Sequence, residues 1–427
     1  MHQPSNTRST RRPRVGRRLA VTTSAAVLFT ALPATAAWAG GGGGQTWVVH
    51  PGESIQEVVD AAASGDTVQI QAGTYEEAVC VDQKGLTIKG AGRDTTKIVW
   101  PDWTTPADLP EVAATPCWEA QNTADPEGDP DTFADDVSGL FFLEPDGPVK
   151  VTGVSTWNHP ANGIAAWGAD GFHVEKTKGH GHDRYGVLAA YSTHSRILRN
   201  IEEGVDRGTA DQPNSGTAGI GSTDSAKAYA DIVANDVQGY NIGIFARESR
   251  VGVMRHNYVS GNCVGVLVFD DAATEIPDAS RNVRGGDWTI RANESSGNDR
   301  FCLAGIGEVQ AALRVSGTGM AVVNADHVGI YDNRIRDNNS AVDPATLQFP
   351  SAGVALLTLP PFNNPLGVDP GPVTAVRVWK NGITGNTLDV LRGWPPPLDA
   401  QFPPVGRDIS IRGNTCATSI PASLCGG

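Results

Sequence analysis

Acids recur at one offset along this chain. Glycine followed by Ile or Val stands at 163, 186, 219, 243 and 265, and five residues beyond each lie Gly168, Tyr191, Asp224, Glu248 and Asp270. Three consecutive units therefore carry a carboxyl group at the same place. If the units stack as β-strands do, acids one unit apart lie about 5 Å from each other in backbone terms and acids two units apart about 10 Å. That range covers the roughly 5 to 5.5 Å and 6.5 to 9.5 Å at which carboxyl pairs cleave glycosidic bonds with retention or inversion. The same acids suit a Ca²⁺ site built from oxygen ligands. They equally suit a structural task, because strand-end turns favour Asp and Ser for capping backbone groups.

A second cluster is basic. His159, His173, His180, His182 and His194 fall within 36 residues, interleaved with Lys176, Lys178, Arg184, Arg196 and Arg199. His159 and His182 each stand four residues before a glycine of the series, so stacked units would place them on adjacent coils. Removing the C5 proton of a uronic acid needs a base and a cation to steady the carboxylate, roles open to Tyr185, His182 and Arg184. Lys176, Lys178, Trp167 and Tyr191 are candidates for holding a sugar, the aromatics by stacking. Histidines in polar turns also serve simply by bonding to the backbone. His180 and His182 alone lack a third partner for a metal.

The elements that would position these groups are short. Seven strand-like runs end in Asn, at 200, 235, 257, 293, 333, 381 and 414, and four continue to a second Asn five residues on, at 262, 298, 338 and 386. A unit of a few strand residues and a turn cannot bury its own apolar face, so it must stack on its neighbours. Stacking turns a sequence period into a spatial ladder, in which equivalent Asn amides bond to one another along the axis. The glycine series steps by 22 to 33 residues, which is one coil of a parallel β-helix with loops thrown out from some coils. Ser54-Ile55-Gln56-Glu57 is a capping box for a short amphipathic helix reaching Ala63, placed to cover the first coil's open edge. Residues 101–138, rich in Pro and acid, form a long loop insertion.

Composition agrees with an all-β solenoid. Fifty Gly and 28 Pro among 427 residues are too many for a helical protein, and 40% apolar residues are too many for a disordered one. Six Arg and no acid precede residue 40, followed by a short apolar stretch and Ala37-Trp38-Ala39, the pattern of a cleaved export signal over residues 1–39. A Gly-rich tether at 40–46 and a single β-helix domain at 47–427 follow. Secretion to an extracellular, oxidising compartment makes the six cysteines a disulfide set, paired by proximity as Cys80 with Cys117, Cys263 with Cys302 and Cys416 with Cys425. The formal net charge is −14, and −20 without the first 39 residues, which opposes nucleic acid as a partner. No membrane span is expected after cleavage, and the chain is expected to be a monomer.

The run Gly65-DTVQIQAGTYEEAVCVDQKGLTIKGAG, followed by repeated Gly-Ile and Gly-Val strands and N-x-[IV]-x-G-N turns, resembles the right-handed parallel β-helix proteins of the pectin-lyase-like superfamily. Within that group it is most similar to secreted proteins with NosD-like, carbohydrate-binding and sugar-hydrolase repeats. The resemblance covers about residues 47–420 and implies the handedness of the coil. It also implies a polysaccharide or oligosaccharide partner, acted on by glycoside hydrolase or uronic-acid lyase chemistry or bound without catalysis. The Tyr-Gly-Phe-Asp-Pro-His pattern of alginate epimerases is missing, and His182-Asp183-Arg184-Tyr185-Gly186 echoes it only loosely.

Overall fold

The computed structural model describes residues 44–101, 137–209, 213, 215–271, 284–306, 309–343, 348–360 and 369–425. Residues 1–39, read from the sequence as an export signal, and the greater part of the 101–138 segment, with Cys117, lie outside the described residues. The chain winds as a right-handed parallel β-helix. Each coil lays one short strand on each of three faces. In one coil these are Phe172–Glu175, Lys178–His180 and Tyr185–Ala190; in the next, Arg196–Leu198, Ile201–Glu203 and Ala218–Ser225. The strands pair in parallel with the coil above, as in Val174 on Ile197, Gly179 on Glu202 and Val187 on Ile220. The second face is a sheet of ten strands. The first and third faces join into 22 strands through the long strand Ile242–Arg255, which turns the corner without a break.

Alternation along each strand decides what is buried. Val187, Ile220, Ile244, Val266 and Met320 stack in register on the third face, all fully buried, as do Val174, Ile197, Ile232, Met254 and Ile290 on the first. The N-terminal end is closed by the helix Ile55–Ala61, shorter than the capping box predicts. Ser54 accepts from the Glu57 amide and the Glu77 carboxylate accepts from Ile55 and Gln56, while Ile55 and Val59 plug the first coils. The first strand is Thr46–Val49, so Thr46, read from the sequence as the end of the tether, already belongs to the barrel.

All seven Asn of the first series form one hydrogen-bonded column. The amide groups run Asn235 to Asn257 to Asn293 to Asn333 to Asn381 to Asn414, each donating to the next Oδ1 at 2.9–3.0 Å, while each Oδ1 also accepts the preceding backbone N–H. Asn200 opens the column through its backbone N–H to Asn235. The second series, Asn262, Asn298, Asn338 and Asn386, does the same at the corner between the second and third faces. This corner explains the recurring glycine: a Cβ at Gly219 or Gly243 would run into Val237 or Val259, and one at Gly265 into Ser295 and Asn298.

The disulfides Cys263–Cys302 and Cys416–Cys425 are formed, with Cα atoms 6.0 and 5.2 Å apart. Cys80 is also disulfide-bonded. Among the described residues no helix is long and apolar enough to cross a membrane.

Candidate functional site

The offset of five residues leads to a real register. Gly168, Tyr191, Asp224 and Glu248 follow one another at the end of the third-face strands, where Gly168 donates to Ala190, Tyr191 donates to Thr223, and Thr223 pairs with Arg247. All four have left-handed backbones, with φ of 71°, 50°, 55° and 45°. A non-glycine residue there carries a conformational cost of order 1 kcal/mol. The strain breaks the strand's alternation and collects unusual side chains at one rim of the outer third face.

Five residues converge at that rim. Arg247 holds Asp271 through both Nε and Nη2, each 3.0 Å from Oδ2, with the two side chains only 17% and 19% exposed. Glu248 lies fully buried against Asp271, and burial first, then the hydrogen bond and negative charge of Asp271, pushes its carboxyl far above the usual range. Both causes favour the protonated form of Glu248, with the proton shared toward Asp271. Asp224 is raised as well, chiefly by burial, and its Oδ1 is enclosed with no hydrogen-bond partner. Tyr185 borders the acids; burial pushes its hydroxyl up to about 12, so it stays a donor. Its ring lies over Gly221, where a Cβ would come within 2.6 Å of Cε1. Arg184 is close enough to act on Tyr185 electrostatically. One coil away Trp167 and Tyr191 pack together, ring centroids 5.1 Å apart, over Leu188 and Ala190.

The structure corrects three sequence expectations. Asp270 is not in the cluster: it lacks the left-handed backbone, is buried, and its Oδ2 accepts the Gly285 N–H at 3.0 Å, a loop cap. Asp271, its neighbour, takes the place next to Glu248. His182 is not at a surface either. It stacks on His159 as the spacing required, with centroids 5.6 Å apart, but both rings are inside the solenoid at the corner where later coils carry Asn. His182 Nε2 sits 3.0 Å from Thr156 Oγ1, and burial, reinforced by His159, drives its pKa well below the ordinary value. Lys176 and Lys178 leave the site for other parts of the coil. Lys176 occupies the turn between first and second faces beside Glu175, and Lys178 on the second face pairs with Glu203 at 2.8 Å and covers Trp157.

Sequence reasoning missed Arg247 and Asp271. A signal for them exists: the doublets Arg247-Glu248 and Asp270-Asp271 end adjacent third-face strands. As for Ca²⁺, among the described residues no three His, Cys, Asp or Glu side chains converge as ligands for a metal ion.

No protein-family profile matches this sequence, and no curated protein is similar to it. Solved structures are similar in part. The catalytic domain of a GH87 α-1,3-glucanase variant in complex with nigerose matches over 87% of this chain and 68% of that one, at 13% identity and a TM-score of 0.47. The A-module of the Azotobacter vinelandii mannuronan C-5 epimerase AlgE6 matches over 85% and 91%, at 14% identity and a TM-score of 0.40. A mutant of the periplasmic alginate epimerase AlgG matches over 82% and 76%, at 11% identity and a TM-score of 0.34.

Proposed function

We propose that the outer third face is the active site of a polysaccharide-cleaving enzyme, a glycoside hydrolase in which Glu248 is the general acid. The observation that carries this reading is Glu248 buried against Asp271, its carboxyl pushed far above the usual range, beside a second carboxyl, Asp224, whose Oδ1 has no partner. Glycosidic cleavage needs one carboxyl that keeps its proton at neutral pH and one that is free to accept. Glu248 gives its proton to the leaving oxygen, and Asp271, fixed by Arg247, aims that proton. Asp224 stands one coil away, about 4.8 Å along the axis, and meets the other side of the bond, through water or directly. Tyr185 donates to a sugar oxygen, and the Trp167–Tyr191 pair offers an aromatic wall for the chain.

Elimination from a uronic acid has less support. The histidine that would serve as base is inside the solenoid, and Tyr185 holds its proton too firmly to abstract another. Purified protein incubated with neutral and acidic polysaccharides should release reducing ends without unsaturated uronate absorbance. Unsaturated products would replace hydrolysis by elimination; binding without any turnover would leave a non-catalytic glycan-binding solenoid.

A further inference from the structure

The outer first face carries, at one register on five successive coils, Arg255, Arg291, Tyr331, Trp379 and Arg412. Two residues earlier on the last three of these strands stand Gly329, Arg377 and Ser410. The residues between, Ile330 and Val378, point inward and are fully buried, so this set faces out. Tyr331 and Trp379 stack with centroids 4.4 Å apart and planes 19° apart. Gly329 lies beside the stack: a Cβ there would be in ordinary contact, 3.7 Å from Trp379 Cζ3 and Cη2 and from Tyr331 Cε1. Past Trp379 the face opens into a cleft of about 620 Å³ lined by Arg377, Trp379, Asp408, Ile409, Ser410 and Arg412.

The guanidinium groups here are uncommitted. Arg247, Arg250, Arg284, Arg300 and Arg336 are all ion-paired. Arg255, Arg291, Arg377 and Arg412 make no side-chain hydrogen bond or ion pair among the described residues. In a chain of net charge −14, unpaired cations in one register above and below an aromatic stack are complementary to a ligand that is itself a row of anions and flat apolar faces. A polyuronate has both, with a carboxylate on each pyranose. We infer that the first face is a binding site for a uronic-acid polysaccharide lying along the solenoid axis, with one sugar stacked in the cleft against Trp379 and its carboxylate on Arg377 and Arg412. Asp408 tempers the site, repelling the carboxylate it shares the cleft with.

The ligand class shares with the proposed function only that it is a glycan, and the test is made on Glu248→Gln protein so that turnover does not intrude. Isothermal titration with polygalacturonate oligomers should show binding that weakens as salt is raised. Neutral gluco-oligosaccharides of the same length should bind at least about tenfold more weakly. Arg377→Gln with Arg412→Gln should weaken the acidic ligand about tenfold without changing Tm, both side chains being exposed. Asp408→Asn, isosteric and tolerant of the φ of 60° at that position, should tighten it. Equal affinity for neutral and acidic oligomers, an unchanged affinity in the double arginine variant, or tighter binding of single-stranded DNA than of polygalacturonate would overturn the inference. Loss of catalysis elsewhere would leave it untouched.

Discussion

Two rims of the solenoid share a backbone and differ in what they leave unsatisfied. At the turn between first and second faces, left-handed residues such as Ala234, His256, Ala292 and Asp332 each precede an Asn whose amide is bonded to the coils on both sides. At the rim of the third face, left-handed Asp224 and Glu248 bring their carboxyls beside Asp271, and Asp224 Oδ1 has no hydrogen-bond partner. The first rim is a column of neutral amides that satisfy each other, and its energy goes into the fold. The second confines acids in a dry place, which raises their pKa values and suits them to proton transfer. Under the proposed function, the first rim holds the fold together and the second carries the chemistry.

The largest effect expected from that contrast is on turnover. Glu248→Gln keeps shape and can still donate an amide hydrogen to Asp271, but has no proton to give; activity should fall by roughly 10² to 10⁴ with Tm unchanged or raised. Next in size is the opposite rim. Asn257→Ala strips the acceptor of the Asn235 amide and of its backbone N–H and the donor to Ile232 O and Asn293, a loss of about 2–4 kcal/mol in chemical unfolding, with normal kcat in what stays folded.

A third expectation concerns acid. His159 is fully buried and burial lowers its pKa to about 4, from an ordinary value of 6.5. The unfolded chain therefore takes up a proton that the folded chain refuses. Stability is present above about pH 6.5 and is lost as pH falls toward 4, by up to about 3 kcal/mol from this residue. His159→Asn, the residue that later coils carry at this corner, should flatten that slope in melts between pH 7 and 4. The smallest effect has the reverse sign. Glu202 points into the core where the next coil has Val237, its Oε2 has no partner, and burial raises its pKa well above the usual range. Holding that proton at pH 7 costs stability that is regained below about pH 4.5, so Glu202→Gln should gain roughly 1–3 kcal/mol at neutral pH and nothing at pH 4.

The fold was legible because its constraints repeat. An amide that bonds to its own copy on the next coil must recur at every coil, and so must the glycine that leaves room at the corner, so all eleven Asn positions and the Cys263–Cys302 neighbours could be counted out in advance. The site was only half legible because its chemistry depends on one turn departing from the repeat. A fixed offset reached Asp224 and Glu248, then failed at the next coil, where the strand Val264–Phe269 ends without a left-handed residue and Asp271 rather than Asp270 meets Glu248. For the histidines, spacing gave the stack but not its side of the wall. Which way a turn residue points is settled by the room inside, and at this corner the interior is wide enough for His159, His182 and Tyr240.

The contrast between the rims rests on Glu248 keeping its proton, and that can be observed without any substrate. Infrared difference spectra of wild type against Glu248→Gln at pH 7 should show one protonated-carboxyl band present in the wild type and missing from the variant, while Asn257→Ala retains it. A difference spectrum showing only ionised carboxylate at that position would contradict the account.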